Sequence, residues 1–167
     1  MAVHSVHGDA IRSNSIVADI AFFIALLSSA LSLGGALAHA FELPNKIGLS
    51  IADYFLVQQA YRGWNRLAII LLVQFAALCA SAVMSRRPPI VFWCCVTAIG
   101  WLVAAQLLFW SFTYPANVAT ANWTQMPANA GHLRIQWEYS HAAGAACQLL
   151  AMSFLAVAVL ARVRRRS

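Results

Sequence analysis

The chain has 167 residues, of which 62% are hydrophobic and only 10% charged, against about a quarter charged in a soluble domain. The apolar residues lie in long runs rather than at amphipathic spacing, which excludes an ordinary soluble globule and points to lipid as the solvent. The net charge of +6 would suit nucleic acid, but the basic residues flank the apolar runs, so the charge reads as a topology signal and no nucleic-acid partner is expected.

Residues 1–14 are polar, contain His4, His7, Asp9 and Arg12, and read as a short, mobile cytoplasmic tail. The first apolar run extends from about Ile16 to Phe41. Its end, Ala38-His39-Ala40, resembles a signal-peptidase site, yet the run exceeds a signal core, which favours a retained helix. Glu42-Leu43-Pro44-Asn45-Lys46 reads as a break. An amphipathic interfacial helix follows from Ser50 to Trp64, with Ser50 and Asp53 as its start signal and Tyr54, Tyr61 and Trp64 as interfacial aromatics. The second span runs from about Leu67 to Met84 and stops at the charged turn Arg86-Arg87-Pro88-Pro89. The third covers about Ile90 to Phe112, before a loop from Tyr114 to about His132. The fourth covers about Ile135 to Leu160 and ends among arginines. The expected fold is all-α, a single four-helix membrane bundle with one extra interfacial helix.

Seven arginines, Arg12, Arg86, Arg87, Arg162, Arg164, Arg165 and Arg166, fall on one side, and Lys46, Arg62, Arg66 and Arg134 on the other. This asymmetry predicts a multi-pass protein of the plasma (bacterial inner) membrane with both termini cytoplasmic and the two long loops outside. Cys79, Cys94, Cys95 and Cys147 lie inside apolar runs without a CxxC pair, as packing residues do. Asp19, near the cytoplasmic start of the first span, is expected to snorkel or to pair with Arg162.

The chemistry-bearing residues gather at the outer face. His39 and Glu42 stand three residues apart at the end of the first span, and Glu138 and His141 three apart at the start of the fourth. Spacing of three puts each pair on one helix face, and antiparallel helices bring both pairs to one depth. Small residues below them, Gly34 to Ala36 and Ala142 to Ala146, predict close packing of the two helices. Glu-x-x-His is the ligand pattern of di-iron carboxylate bundles, but the second and third spans offer no Asp or Glu, which excludes a four-carboxylate site. A smaller site of His39, Glu42, Glu138 and His141 would suit iron, copper or zinc. The bland alternative is that Glu42 and Glu138 pair with Arg62, Arg66 or Arg134. Asn65, Tyr114, Asn117, Asn122, Trp123 and Trp137 border the same region as walls for a flat, partly polar molecule, although Trp64 and Trp123 also suit an interfacial belt.

The stretches AHAFELPNKIGL, QQAYRGWNR, FWSFTYPANVATANWT and LRIQWEYSHAAGA resemble the small four-helix membrane proteins grouped with anthrone oxygenase, many of them of unknown function. The resemblance covers about Leu37 to Leu150. It implies a four-helix membrane bundle that oxidises a phenolic or quinone-like aromatic with dioxygen, without a demonstrated organic cofactor, and it carries over no catalytic residues. On the residues' own chemistry, His39 or His141 would be base or metal ligand, Glu42 and Glu138 ligands or orienting partners, and Arg62 or Arg134 would stabilise a phenolate. The cofactor is then an iron or copper ion, or none. A non-catalytic subunit of a larger membrane complex is the alternative, with a metal or, less favoured, a haem held by His39 and His141. A transporter, without an internal repeat, ranks third. The partners implied are the bilayer and a lipophilic small molecule, with a homo-oligomer or membrane-complex partner left open.

Overall fold

The computed structural model describes residues 2–86 and 89–165, with side chains from residue 15 onward. Arg87, Pro88 and Arg166, and the side chains of His4, His7, Asp9 and Arg12, lie outside the described residues. The chain is helical: α1 (Ala2–Lys46), α2 (Ile51–Gln58), α3 (Leu67–Met84), α4 (Pro89–Leu108), α5 (Tyr114–Ala119) and α6 (Ala130–Val163). Four segments are long and apolar enough to cross a membrane: Ser15–Lys46, Trp64–Met84, Pro89–Ala119 and Ala130–Val163. The protein is a multi-pass membrane bundle.

Each long helix packs on two neighbours, so α1, α3, α4 and α6 form a ring in that order. Its outward face is apolar, as at Leu72, Leu107 and Leu160, the pattern required where lipid replaces water. Near the α3–α4 turn the ring closes on an apolar core of Phe22, Ala25, Leu78, Val91, Leu102 and Leu155. Arg162 locks this end, with Nη2 2.8 Å from Oδ1 of Asp19, one of the alternatives the sequence left open for Asp19. A second core of Tyr54, Phe55, Ala116, Trp123, Leu133 and Trp137 caps the opposite end. Between the two cores lies a layer of small and polar residues, where the site forms.

The boundaries differ from expectation where proline was read as punctuation. α1 passes through Pro44 to Lys46, and the break follows at 47–50. Only the last turn is weakened there, and the ion pairs of Lys46 hold it. At its other end α1 reaches back to Ala2, so the polar N-terminal stretch continues the helix. α4 runs through a π-helical turn, Phe109–Thr113, into α5, so the expected loop from Tyr114 shrinks to residues 120–129. Pro115 stands in the first turn of α5, where a missing N–H is harmless. The helix between the first two spans is shorter than expected. Ser50 caps α2 as predicted, with Oγ accepting from Asp53 N at 3.1 Å. Two short 3-10 turns then reach α3, separated by Gly63 at φ 85°.

Candidate functional site

α1 and α6 pack side by side and bring His39 and His141 together, with ring centroids 4.5 Å apart. Trp137, one turn before His141, stacks on it at 3.8 Å, and Tyr61 and Trp64 close on His39 at 4.4 and 5.0 Å. The imidazoles thus sit in an aromatic cage. Nδ1 of His141 lies 2.9 Å from the carbonyl oxygen of Trp137. That oxygen can only accept, so Nδ1 carries a hydrogen, and in the neutral ring Nε2 keeps the lone pair. Nδ1 of His39 is buried and has no hydrogen-bond partner.

The cage opens on a cavity of about 910 Å³ bounded by α1, α3, α4 and α6. Every wall residue expected from the sequence lines it: Asn65, Tyr114, Asn117, Asn122 and Trp137, together with His39, Arg62 and His141. Trp64 and Trp123 line it too, so they are more than an interfacial belt. Oδ1 of Asn117 accepts from both indoles, Trp123 Nε1 at 3.1 Å and Trp137 Nε1 at 2.9 Å, which fixes two of the aromatic walls. Above them Ala121, Asn122 and Trp123 hold left-handed backbone, with φ of 48°, 56° and 63°. Such a run costs about 1–3 kcal/mol per residue and persists only where the surroundings impose it. Here Asn122 N donates to Asn117 O at 2.7 Å and Gln59 Nε2 to Trp123 O at 2.7 Å.

The two glutamates are placed differently from expectation. Neither lines the cavity. Both turn to Lys46, whose buried Nζ stands 3.2 Å from Oε1 of Glu138 and 3.3 Å from Oε2 of Glu42. Lys46 also donates to Tyr61 OH at 2.8 Å and lies over the rings of Tyr61 and Trp137. Tyr61 donates to Glu42, Tyr54 to Oε1 of Glu138 at 2.9 Å, and Gln58 to Tyr54. Burial, then the neighbouring Glu138, pushes the Tyr54 phenol above its ordinary range, so it stays a donor. Lys46 replaces the expected arginines as the partner of the carboxylates. Arg134 instead donates to Leu49 O at 2.6 Å and covers Tyr54, away from the cavity wall.

This arrangement bears on the expected cofactors. Among the described residues no three His, Cys, Asp or Glu side chains are grouped to hold a metal ion. Lys46 engages the carboxylates of both Glu42 and Glu138, so these two residues are ion-paired to an ammonium. Nor do the histidines face each other across a gap. With centroids 4.5 Å apart they leave no room for a haem plane between them.

Lys46, expected as an outer-loop charge, is buried behind the site, and Gln58 and Gln148, absent from the expected site residues, line the cavity. A signal existed: Lys46 follows Glu42 by four residues and His39 by seven, and Gln148 follows His141 by seven, so each shares a helix stripe with its histidine. No family model, no curated protein and no solved structure matches the chain. Fold and site together define a multi-pass helical membrane protein with an aromatic-walled cavity and two caged imidazoles.

Proposed function

We propose that the protein is a membrane-bound oxidoreductase of the oxygenase type, acting on a lipophilic phenolic or quinone-like aromatic that reaches the cavity from the bilayer. The cavity would lie at the outer face of the plasma membrane with both termini in the cytoplasm, as the arginine asymmetry predicts. The observation that carries the reading is the pair of imidazoles at the wall of an aromatic cavity, with the lone pair of His141 Nε2 fixed by the Trp137 carbonyl. A cavity of about 910 Å³ accommodates a small polycyclic molecule.

Each group then has a task. The more exposed aromatic side chains of the cavity wall, Trp64 and Tyr114, receive a flat ring, while Trp123 and Trp137 back the imidazoles. His141 Nε2 accepts the phenolic proton, and His39, in ring contact with it, holds its orientation. Arg62, exposed at the cavity rim, offsets the negative charge of the phenolate. The ionised ring is the better electron donor, and dioxygen is the acceptor that the family resemblance implies. Lys46 and the glutamates hold α1, α2 and α6 in register behind the cage.

A second reading, a non-catalytic binding subunit, draws support from the engagement of both carboxylates by Lys46, which leaves no carboxylate among the described residues that line the cavity. Incubation of the detergent-purified protein with 2-naphthol, with oxygen uptake and product mass followed together, separates the two. The proposed function requires turnover that is lost in His141→Ala and kept in Arg162→Lys. Binding without turnover supports the subunit. A chelator added to the same assay tests whether a metal joins the histidines.

A further inference from the structure

The cavity has polar groups at two depths. Seven residues below His141 on α6 stands Gln148, and seven below His39 on α1 stands Ser32, and both line the cavity. Seven helical residues span about 10 Å. Between the two levels the walls are small and apolar, at Gly35, Ala36, Gly144 and Ala105.

The deeper groups are unusual for their surroundings. Gln148 and Ser32 are more than nine-tenths buried inside spanning helices, where a polar group is costly unless it finds a partner. Oε1 of Gln148 is taken by Nε2 of Gln74 at 3.1 Å, which fixes the amide plane and leaves its N–H donors for the cavity. Oγ of Ser32 is buried without a hydrogen-bond partner. Ser28 and Ser81, by contrast, spend their hydroxyls on carbonyls of the preceding turn.

We infer that Gln148 and Ser32 form a distal anchor for a second oxygen of the ligand, so that the cavity selects aromatic molecules bearing oxygen at both ends. Gln74 is a positioning residue that acts through Gln148. The imidazoles take the near oxygen, the small residues pass a flat apolar body, and the amide and hydroxyl donate to the far oxygen. This rests on the reading of the cavity as the site for a lipophilic aromatic.

Two probes of one ring system test it, 2-naphthol with one hydroxyl and 2,6-dihydroxynaphthalene with two. Binding is titrated on the detergent-purified full chain through fluorescence of the cavity tryptophans. The wild-type protein is expected to bind the diol about tenfold tighter, as two added hydrogen bonds would give. In Ser32→Ala/Gln148→Leu that ratio falls to about one while the affinity for 2-naphthol holds. Ser32→Ala alone removes no existing hydrogen bond, and lowers the ratio part of the way if the double variant does not fold. Equal affinity of the wild type for both probes, or an unchanged ratio in the double variant, overturns the distal anchor alone. If neither probe binds, the reading of the cavity falls and the anchor falls with it.

Discussion

Replacing Lys46 by Met is the sharpest perturbation the structure offers, because it isolates one buried charge. Lys46 and Glu138 have side-chain exposures of 5% and 0%, so their pair is screened from water, whereas Glu42 is 47% exposed and its pairing with Lys46 adds little. Removing one partner of a buried pair costs about 3–5 kcal/mol, because the other charge is left without compensation. At about 2–4 °C per kcal/mol for a chain of this size, the unfolding midpoint falls by roughly 6–20 °C. Heating in detergent with a thiol-reactive dye reads this directly, since Cys95 and Cys147 are free and buried. Lys46→Met/Glu138→Gln leaves no isolated buried charge, only the half-exposed Glu42, and should recover most of the loss. A fall of less than about 3 °C in the single variant, or a double variant no more stable than the single, would refute the ion pair as the element that holds α1 to α6.

Tyr54→Phe removes the donor to Glu138 and the acceptor of Gln58 and should cost about 1–3 kcal/mol in the same assay. Because folding raises the Tyr54 pKa, the contribution of this group is present below the unfolded value of about 10 and is lost as pH rises above it. Stability against pH should therefore fall less steeply above that point in Tyr54→Phe than in the wild type. Gly144→Leu starts into open space, with nothing within 4 Å of the added Cβ, so it should narrow the cavity between its two polar levels and weaken 2-naphthol binding without lowering the unfolding midpoint. Asp19→Asn breaks a pair whose carboxylate is half exposed, and should move the midpoint by no more than about 1 kcal/mol allows.

Hydropathy alone was enough for the four spans, since no soluble fold tolerates such runs, and the i, i+3 spacing of His39 with Glu42 and of Glu138 with His141 located the site. What the spacing left open was the direction of each side chain. Stopping the first helix at Phe41 places Lys46 in a loop, and only the passage of α1 through Pro44 swings it onto the stripe of Glu42. Once there, the ammonium engages both carboxylates, while the imidazoles line the cavity. Gln148 was hidden for another reason. The sequence below His141 reads as a small-residue stripe, and one amide among alanines gains meaning only with Gln74, 74 positions away on another helix. The left-handed turn at Ala121 to Trp123 carries no glycine and so gave no local sign.

Photolabelling is the most direct test of the central claim, that a lipophilic aromatic binds beside His39 and His141. An aryl-azide derivative of 2-naphthol, irradiated with the protein in detergent and mapped by peptide mass, should label residues 32–39 and 137–148, and unlabelled 2-naphthol should suppress that label. Label spread instead over lipid-facing positions such as Ile69, Leu72 and Phe75, without competition, would contradict the account.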